Sequence, residues 1–163
     1  MASDFWKNWS LKVDAAPSIR QCGAIPYSVV DGRVAFLLIT ARRSGRWIFP
    51  KGAIDPGLTP QESAALEALE EAGVSGQIWS EPIGSYRSSS SDNSSLVDID
   101  AYPLLVETQL DVWKEMDQRL RHWVMLPEAK RLLNDPALSR LAVKLDDQLR
   151  EQHQLPTRNA RAQ

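Results

Sequence analysis

Residues 52 to 74 constrain this chain more than any other stretch. A loop, Gly52-Ala53-Ile54-Asp55-Pro56-Gly57-Leu58, feeds a segment whose residues specify a helix with both ends marked. Thr59 is a good N-cap, because its hydroxyl accepts from a backbone N–H that the helix leaves unpaired. Pro60 suits the first helical position, where a missing N–H costs nothing. Glu62 stands three residues after Thr59 and completes a capping box. Ala64, Ala65, Leu66, Ala68, Leu69 and Ala72 favour helix, and Gly73 supplies the left-handed residue that ends it.

At about 100° per residue, Glu67, Glu70 and Glu71 fall within an arc of about 100°. Alanines and leucines cover most of the remaining surface, so the helix packs on its apolar side. Three clustered carboxylates repel one another unless a positive charge offsets them. Oxygen-only ligands favour a hard cation, Mg²⁺ or Mn²⁺, which also takes phosphate oxygens. The plainer reading is a solvated acidic face on an amphipathic helix.

The segment and its flanks resemble the Nudix hydrolases, whose signature is Gly-x5-Glu-x7-Arg-Glu-U-x-Glu-Glu-x-Gly-U, with U bulky and apolar. Gly52, Glu67, Glu70, Glu71, Gly73 and Val74 match in type and spacing, and Arg46-Trp47-Ile48-Phe49-Pro50-Lys51 resembles the usual lead-in. The resemblance covers residues 20 to 150 and implies an α/β (α+β) fold, an α/β/α sandwich around a mixed sheet. Two positions depart from the signature: Leu58 replaces a Glu, and Leu66 replaces the Arg that usually pairs with a box carboxylate. Ala68 is also small for its apolar position. Losing one partner of a buried ion pair costs about 3–5 kcal/mol, whereas replacing both with packed apolar groups can be neutral. Leu58 and Leu66 therefore read as a compensated swap that preserves the fold, while the orientation of the glutamates is a separate matter.

The resemblance implies metal-assisted hydrolysis of a diphosphate linkage, with Mg²⁺ (or Mn²⁺) polarising phosphoryl oxygens and activating a water. It assigns Gly52 (through its carbonyl), Glu67, Glu70 and Glu71 to the metal, and the three glutamates to catalysis. Glu67 and Glu71 are the expected direct ligands; Glu70 is either a ligand or acts through water. Asp98 and Asp100 alternate along a strand, so they either extend this site or sit on an exposed sheet face. Among the cations before Gly52, namely Arg42, Arg43, Arg46 and Lys51, the expected phosphate-binding residues are Arg42, Arg43 and Lys51. Arg20 and Arg87 are weaker candidates, and His122 and His153 carry no catalytic signal.

Within the family, Arg46-Trp47-Ile48-Phe49-Pro50 and Arg121-His122-Trp123-Val124 resemble the branch acting on diphosphoinositol and diadenosine polyphosphates. A diphosphoinositol ligand needs a densely basic cleft. The loop from Ser88 to Ser95 holds no cation and one acid, Asp92. A nucleotide is the better expectation, with Trp47, Trp79 and Tyr86 available to stack a base.

Elsewhere the chain reads as one domain (19–154) between an N-terminal arm (1–18, with Trp6 and Trp9) and a disordered tail (155–163). A net charge of −2 with 25% charged residues argues against general nucleic-acid or membrane binding. The single Cys22 cannot form an internal disulfide and reads as a packing thiol. No signal peptide or membrane span is evident, which makes the expected location cytoplasmic, as a monomer or homodimer with a small phosphorylated substrate as partner. Strands are predicted at 20–29, 34–39, 77–87, 96–106 and 121–126, with Asp31-Gly32 as a hairpin turn. Helices are predicted from Pro127 and after Pro136. Two other readings stand beside the hydrolase: a binding or regulatory domain that hydrolyses weakly, motivated by Leu58 and Leu66, and an interaction module using the arm or tail.

Overall fold

β1 (Arg20–Val30) and β2 (Arg33–Thr40) form the predicted hairpin, with Val29 opposite Val34. Asp31 and Gly32 both have positive φ, 49° and 69°, the backbone that a two-residue turn needs to match strand twist. The structure, a computed structural model, describes residues 20–90 and 94–152; the expected arm with Trp6 and Trp9, the tail, His153 and Asp92 lie outside the described residues.

Six further strands join the same sheet: β3 (Trp47–Ile48), β4 (Lys51–Ala53), β5 (Val74–Ile78), β6 (Gly84–Ser89), β7 (Leu96–Gln109) and β8 (Arg121–Met125). Their order is β3-β2-β1-β7-β5, with β4 beside β1, β6 beside β7 and β8 beside β2. β1 and β7 run parallel from Arg20 opposite Asp98 to Tyr27 opposite Leu105, while the other pairs are antiparallel. The sheet is therefore mixed, as expected.

The single strand expected over 77–87 is instead two, β5 and β6, separated by a connection holding Pro82. Proline cannot donate to a ladder. The connection stays tied to β7 through Trp79 N–H to the Pro103 carbonyl (2.9 Å) and Ile83 N–H to the Ala101 carbonyl (2.8 Å).

The helices lie on opposite faces of the sheet. α1 (Pro60–Glu67) and its continuation bury Ala64, Ala68 and Ala72 against Cys22, Ala24, Leu37, Ile39 and Leu104. α2 (Leu126–Leu132) and α3 (Pro136–Glu151) cover the other face. On α3, Leu138, Leu141, Ala142, Leu145 and Leu149 point into a core with Ile25, Phe36, Ile99 and Tyr86. This is the α/β/α sandwich. Among the described residues no helix is long and apolar enough to cross a membrane.

Candidate functional site

The capping box forms as its residues predict: Glu62 N–H donates to Thr59 Oγ1 (3.2 Å) and Thr59 N–H to Glu62 Oε2 (3.0 Å). The buried Ser63 hydroxyl accepts from Asp55 N–H at 3.0 Å, which fixes the loop to the helix it precedes. Beyond Glu67 the winding changes. Ala68–Ala72 form a π-helical turn that closes on Gly73 at φ 67°. Such a turn, bonded i to i+5, holds more residues than an α turn. Residues four apart then lie nearer one full turn, and residues three apart diverge.

That winding separates the three glutamates. Glu67 and Glu71 face one cleft together with Gly52, whereas Glu70 is outside its lining and pairs with Lys114 Nζ at 3.0 Å. The expected cluster of three is thus two convergent carboxylates with the third turned aside. Among the described residues no three His, Cys, Asp or Glu side chains converge as a metal-binding group.

The cleft has a volume of about 1170 Å³. Arg42, Arg43, Arg46 and Lys51 line it, so every cation expected to hold phosphate faces the same space as Glu67 and Glu71. Trp47, Tyr86 and the run Ser88 to Ser90 form other parts of its wall. Arg42 Nη1 is bonded to Gln118 Oε1 (3.1 Å) and lies 3.8 Å from Glu115. Lys51 is partly desolvated, which lowers its pKa despite the carboxylates of Glu71 and Glu67 nearby.

Burial dominates the electrostatics of the glutamate pair. It pushes Glu71 up to about 8; Arg119 opposes the shift, and the charges of Glu67 and Glu115 add to it. Burial also raises Glu67, to about 6, against a hydrogen bond with Glu71 and with help from Glu70 and Asp55. Both carboxyls therefore hold protons more readily than free glutamate, because two negative charges in a poorly hydrated site disfavour full ionisation.

Two observations test whether a cation fits here. Glu71 Oε2 is buried and meets no N–H or hydroxyl donor. Gly52 stands so close to Glu67 that a Cβ on it would meet Glu67 Oε1 at 2.2 Å. The backbone and the carboxylate thus share a pocket that only glycine leaves open. Mg²⁺ commonly takes one or two carboxylates and completes its shell with water and phosphate oxygens. Glu67 and Glu71 suit such an ion without making an all-protein cage, and the Gly52 carbonyl beside them accepts weakly from the Cys22 thiol at 3.6 Å.

Other candidates fall outside the cleft lining. Asp100 pairs with Arg20 and accepts from the Ser85 hydroxyl (2.6 Å), and Asp98 pairs with Arg87 at 3.0 Å. Both are half-buried and form ion pairs along the β1–β7–β6 ladder. His122 packs on Trp47 with ring centroids 6.0 Å apart, and Trp79 donates to the Tyr27 hydroxyl at 3.1 Å. Cys22 is fully buried, and burial raises its thiol to about 12, the behaviour of a packing residue. Leu58 is exposed and Leu66 half-buried, and neither belongs to a core cluster.

Sequence reasoning missed Lys114, Glu115 and Arg119, which line the cleft from the β7–β8 connection. One signal pointed that way: a buried box glutamate without the usual arginine needs a cation from elsewhere.

The family model described as NUDIX domain matches residues 23–142. Nudix hydrolase 21, chloroplastic, of Arabidopsis thaliana is 36% identical over 114 residues, covering 68% of this chain and 57% of that protein. The chain thus spans little more than half of that relative's length. Among solved structures, a binary complex of a C. elegans Ap4A hydrolase superposes with a TM-score of 0.66 at 21% identity, covering 82% of this chain and 98% of that one. The NUDIX domain of Shewanella oneidensis NrtR complexed with ADP ribose gives 0.65 at 17% identity, covering 88% and 95%. At these identities the two structures establish the fold.

Proposed function

We propose that this chain, which belongs to the NUDIX domain family, is a metal-dependent pyrophosphohydrolase acting on a nucleoside polyphosphate such as a dinucleoside polyphosphate. The observation that carries the reading is the meeting of Gly52, Glu67 and Glu71 with Arg42, Arg43, Arg46 and Lys51 in one cleft. Carboxylates alone would serve a cation, and cations alone would serve any anion. Together on one cavity they suit a phosphate chain bridged to a metal. The Ap4A hydrolase and the ADP-ribose-bound domain among the fold relatives direct the choice toward nucleotides.

Glu67, Glu71 and the Gly52 carbonyl hold Mg²⁺ or Mn²⁺ in this reading, and Glu70 acts from the outer side through its Lys114 contact. The bound ion supplies charge stabilisation at the phosphoryl oxygens and a more acidic water. Arg43, Arg46 and Lys51 hold the phosphates, with Arg42 set back by its contacts with Gln118 and Glu115. Hydrolysis forms one P–O bond from water and breaks the bridging P–O bond, and the departing phosphate leaves as an anion. A box glutamate not engaged by the ion would take the water's proton.

The test is turnover of a panel of dinucleoside polyphosphates, nucleoside triphosphates and nucleotide sugars with Mg²⁺, beside Glu71→Gln. Turnover abolished in the variant supports the reading. Silence of the unsubstituted protein across the panel, with Mg²⁺ still bound, replaces it with a binding domain of this family, the alternative that Leu58 and Leu66 motivate.

A further inference from the structure

The β7–β8 connection, residues 110 to 120, is irregular yet bonds closely to the end of the carboxylate-bearing helix. A helix end leaves its last carbonyls unpaired. Here Glu115 N–H donates to the Glu70 carbonyl (3.1 Å), and Trp113 Nε1 to the Glu71 carbonyl (3.1 Å). Arg121 Nη1, just past the connection, donates to the Ala72 carbonyl at 2.9 Å while its guanidinium lies 3.8 Å over the Trp113 ring. The connection is therefore registered on the π turn atom by atom.

Arg119 is the one guanidinium of this connection aimed at the carboxylate pair. Its three nitrogens go to three separate acceptors. Nη2 lies 3.3 Å from Glu71 Oε1, Nε 3.4 Å from Glu115 Oε1, and Nη1 donates to the Thr40 carbonyl at 3.0 Å. The side chains of Arg119 and Glu71 are 8% and 7% exposed, so water screens the contact little. Thr40 ends β2, which anchors the fork to the sheet rather than to the loop alone. Arg119 Nη2 thus lies against Oε1 of Glu71, while Oε2 is buried and meets no N–H or hydroxyl donor, and Glu71 itself lines the cleft.

We infer that Arg119 is the positioning residue of the site: it fixes the Glu71 carboxylate through Oε1 so that Oε2 is free for a divalent cation. Glu115 and the Thr40 carbonyl hold Arg119 in turn. A helix side chain without such a brace samples several rotamers, and groups that orient metal ligands typically matter about 10- to 100-fold in affinity or activity. The inference rests on the proposed metal site, and it concerns a residue outside the sequence signature.

The test measures Mn²⁺ affinity of the free protein by titration calorimetry, and kcat and KM on whichever panel substrate turns over. Arg119→Met keeps much of the volume and removes the fork. It is expected to weaken Mn²⁺ binding about 10- to 100-fold and to lower kcat similarly with KM little changed. Arg119→Lys, which keeps the charge without the three-way geometry, restores part of both. Should Arg119→Met fail to fold, Arg119→Lys decides alone: intermediate Mn²⁺ affinity supports the inference, and full affinity overturns it. Unchanged or tighter Mn²⁺ binding in a folded Arg119→Met also overturns it, because Arg119 would then be a bystander or a competitor for Glu71. An inactive but Mn²⁺-binding unsubstituted protein removes the hydrolase reading and leaves the affinity comparison decisive. Absence of Mn²⁺ binding by the unsubstituted protein overturns both.

Discussion

Gly52→Ala offers the sharpest separation of site from fold. Gly52 lies in β4 opposite Cys22 and is not among the glycines with positive φ, so its backbone accepts a side chain. An added Cβ, however, would stand 2.2 Å from Glu67 Oε1 and 2.4 Å from its Cδ, where ordinary contact begins at 3.4 Å. The clash is with the end of a flexible side chain, so the carboxylate yields and the strand does not. It has to retreat by about 1 Å, a misplacement that costs about a hundredfold in catalysis. Stability moves the other way or not at all, since replacing a glycine at a compatible position gains about 0.4–1 kcal/mol. The expected result is a protein that melts no lower than the parent, binds Mn²⁺ much more weakly and turns over about a hundredfold more slowly. Calorimetric titration, thermal melting and initial rates read the three quantities. A variant with undiminished metal affinity and turnover would show that Glu67 has room to spare and that Gly52 does not constrain it.

The raised carboxyls also set a pH dependence of stability. Glu67 and Glu71, at about 6 and about 8 when folded, bind protons that the unfolded chain releases near its ordinary value of 4.5. Their contribution is complete below that value and is lost as pH rises toward 8, at no more than about 1.4 kcal/mol per pH unit per proton. Urea unfolding in EDTA should follow that slope, and Mg²⁺ should flatten it by taking the protons' place; a rise in stability over the same range contradicts the assignment. Restoring the family pattern with Leu58→Glu and Leu66→Arg should change the rate little, because Arg119 already holds Oε1 of Glu71. A large gain in initial rate would mean that the site is degraded rather than rebuilt.

The box helix was legible because its information is local. A cap, an N1 proline and a left-handed glycine act within one or two turns, so Thr59, Pro60, Glu62 and Gly73 specify the ends wherever the helix is placed. The hairpin at Asp31-Gly32 and the apolar face of α3 follow from equally local rules of turn geometry and period. The longer strands were legible for the same reason, apart from the break around Pro82, whereas β3 and β4, two and three residues long, are too short to carry a period.

What the sequence by itself determined is therefore the helix, its carboxylates, the strands beside them and the class of chemistry they suit. Tertiary structure alone decided which of those carboxylates work together. The π turn that separates Glu70 from Glu67 and Glu71 is bonded to Trp113, Glu115 and Arg121, some forty residues further along the chain. Arg119 meets Glu71 for the same reason: β8 pairs with β2, and that pairing brings the β7–β8 connection across the helix end. No periodicity or spacing encodes such a contact, because its partners share only a place in the folded sheet.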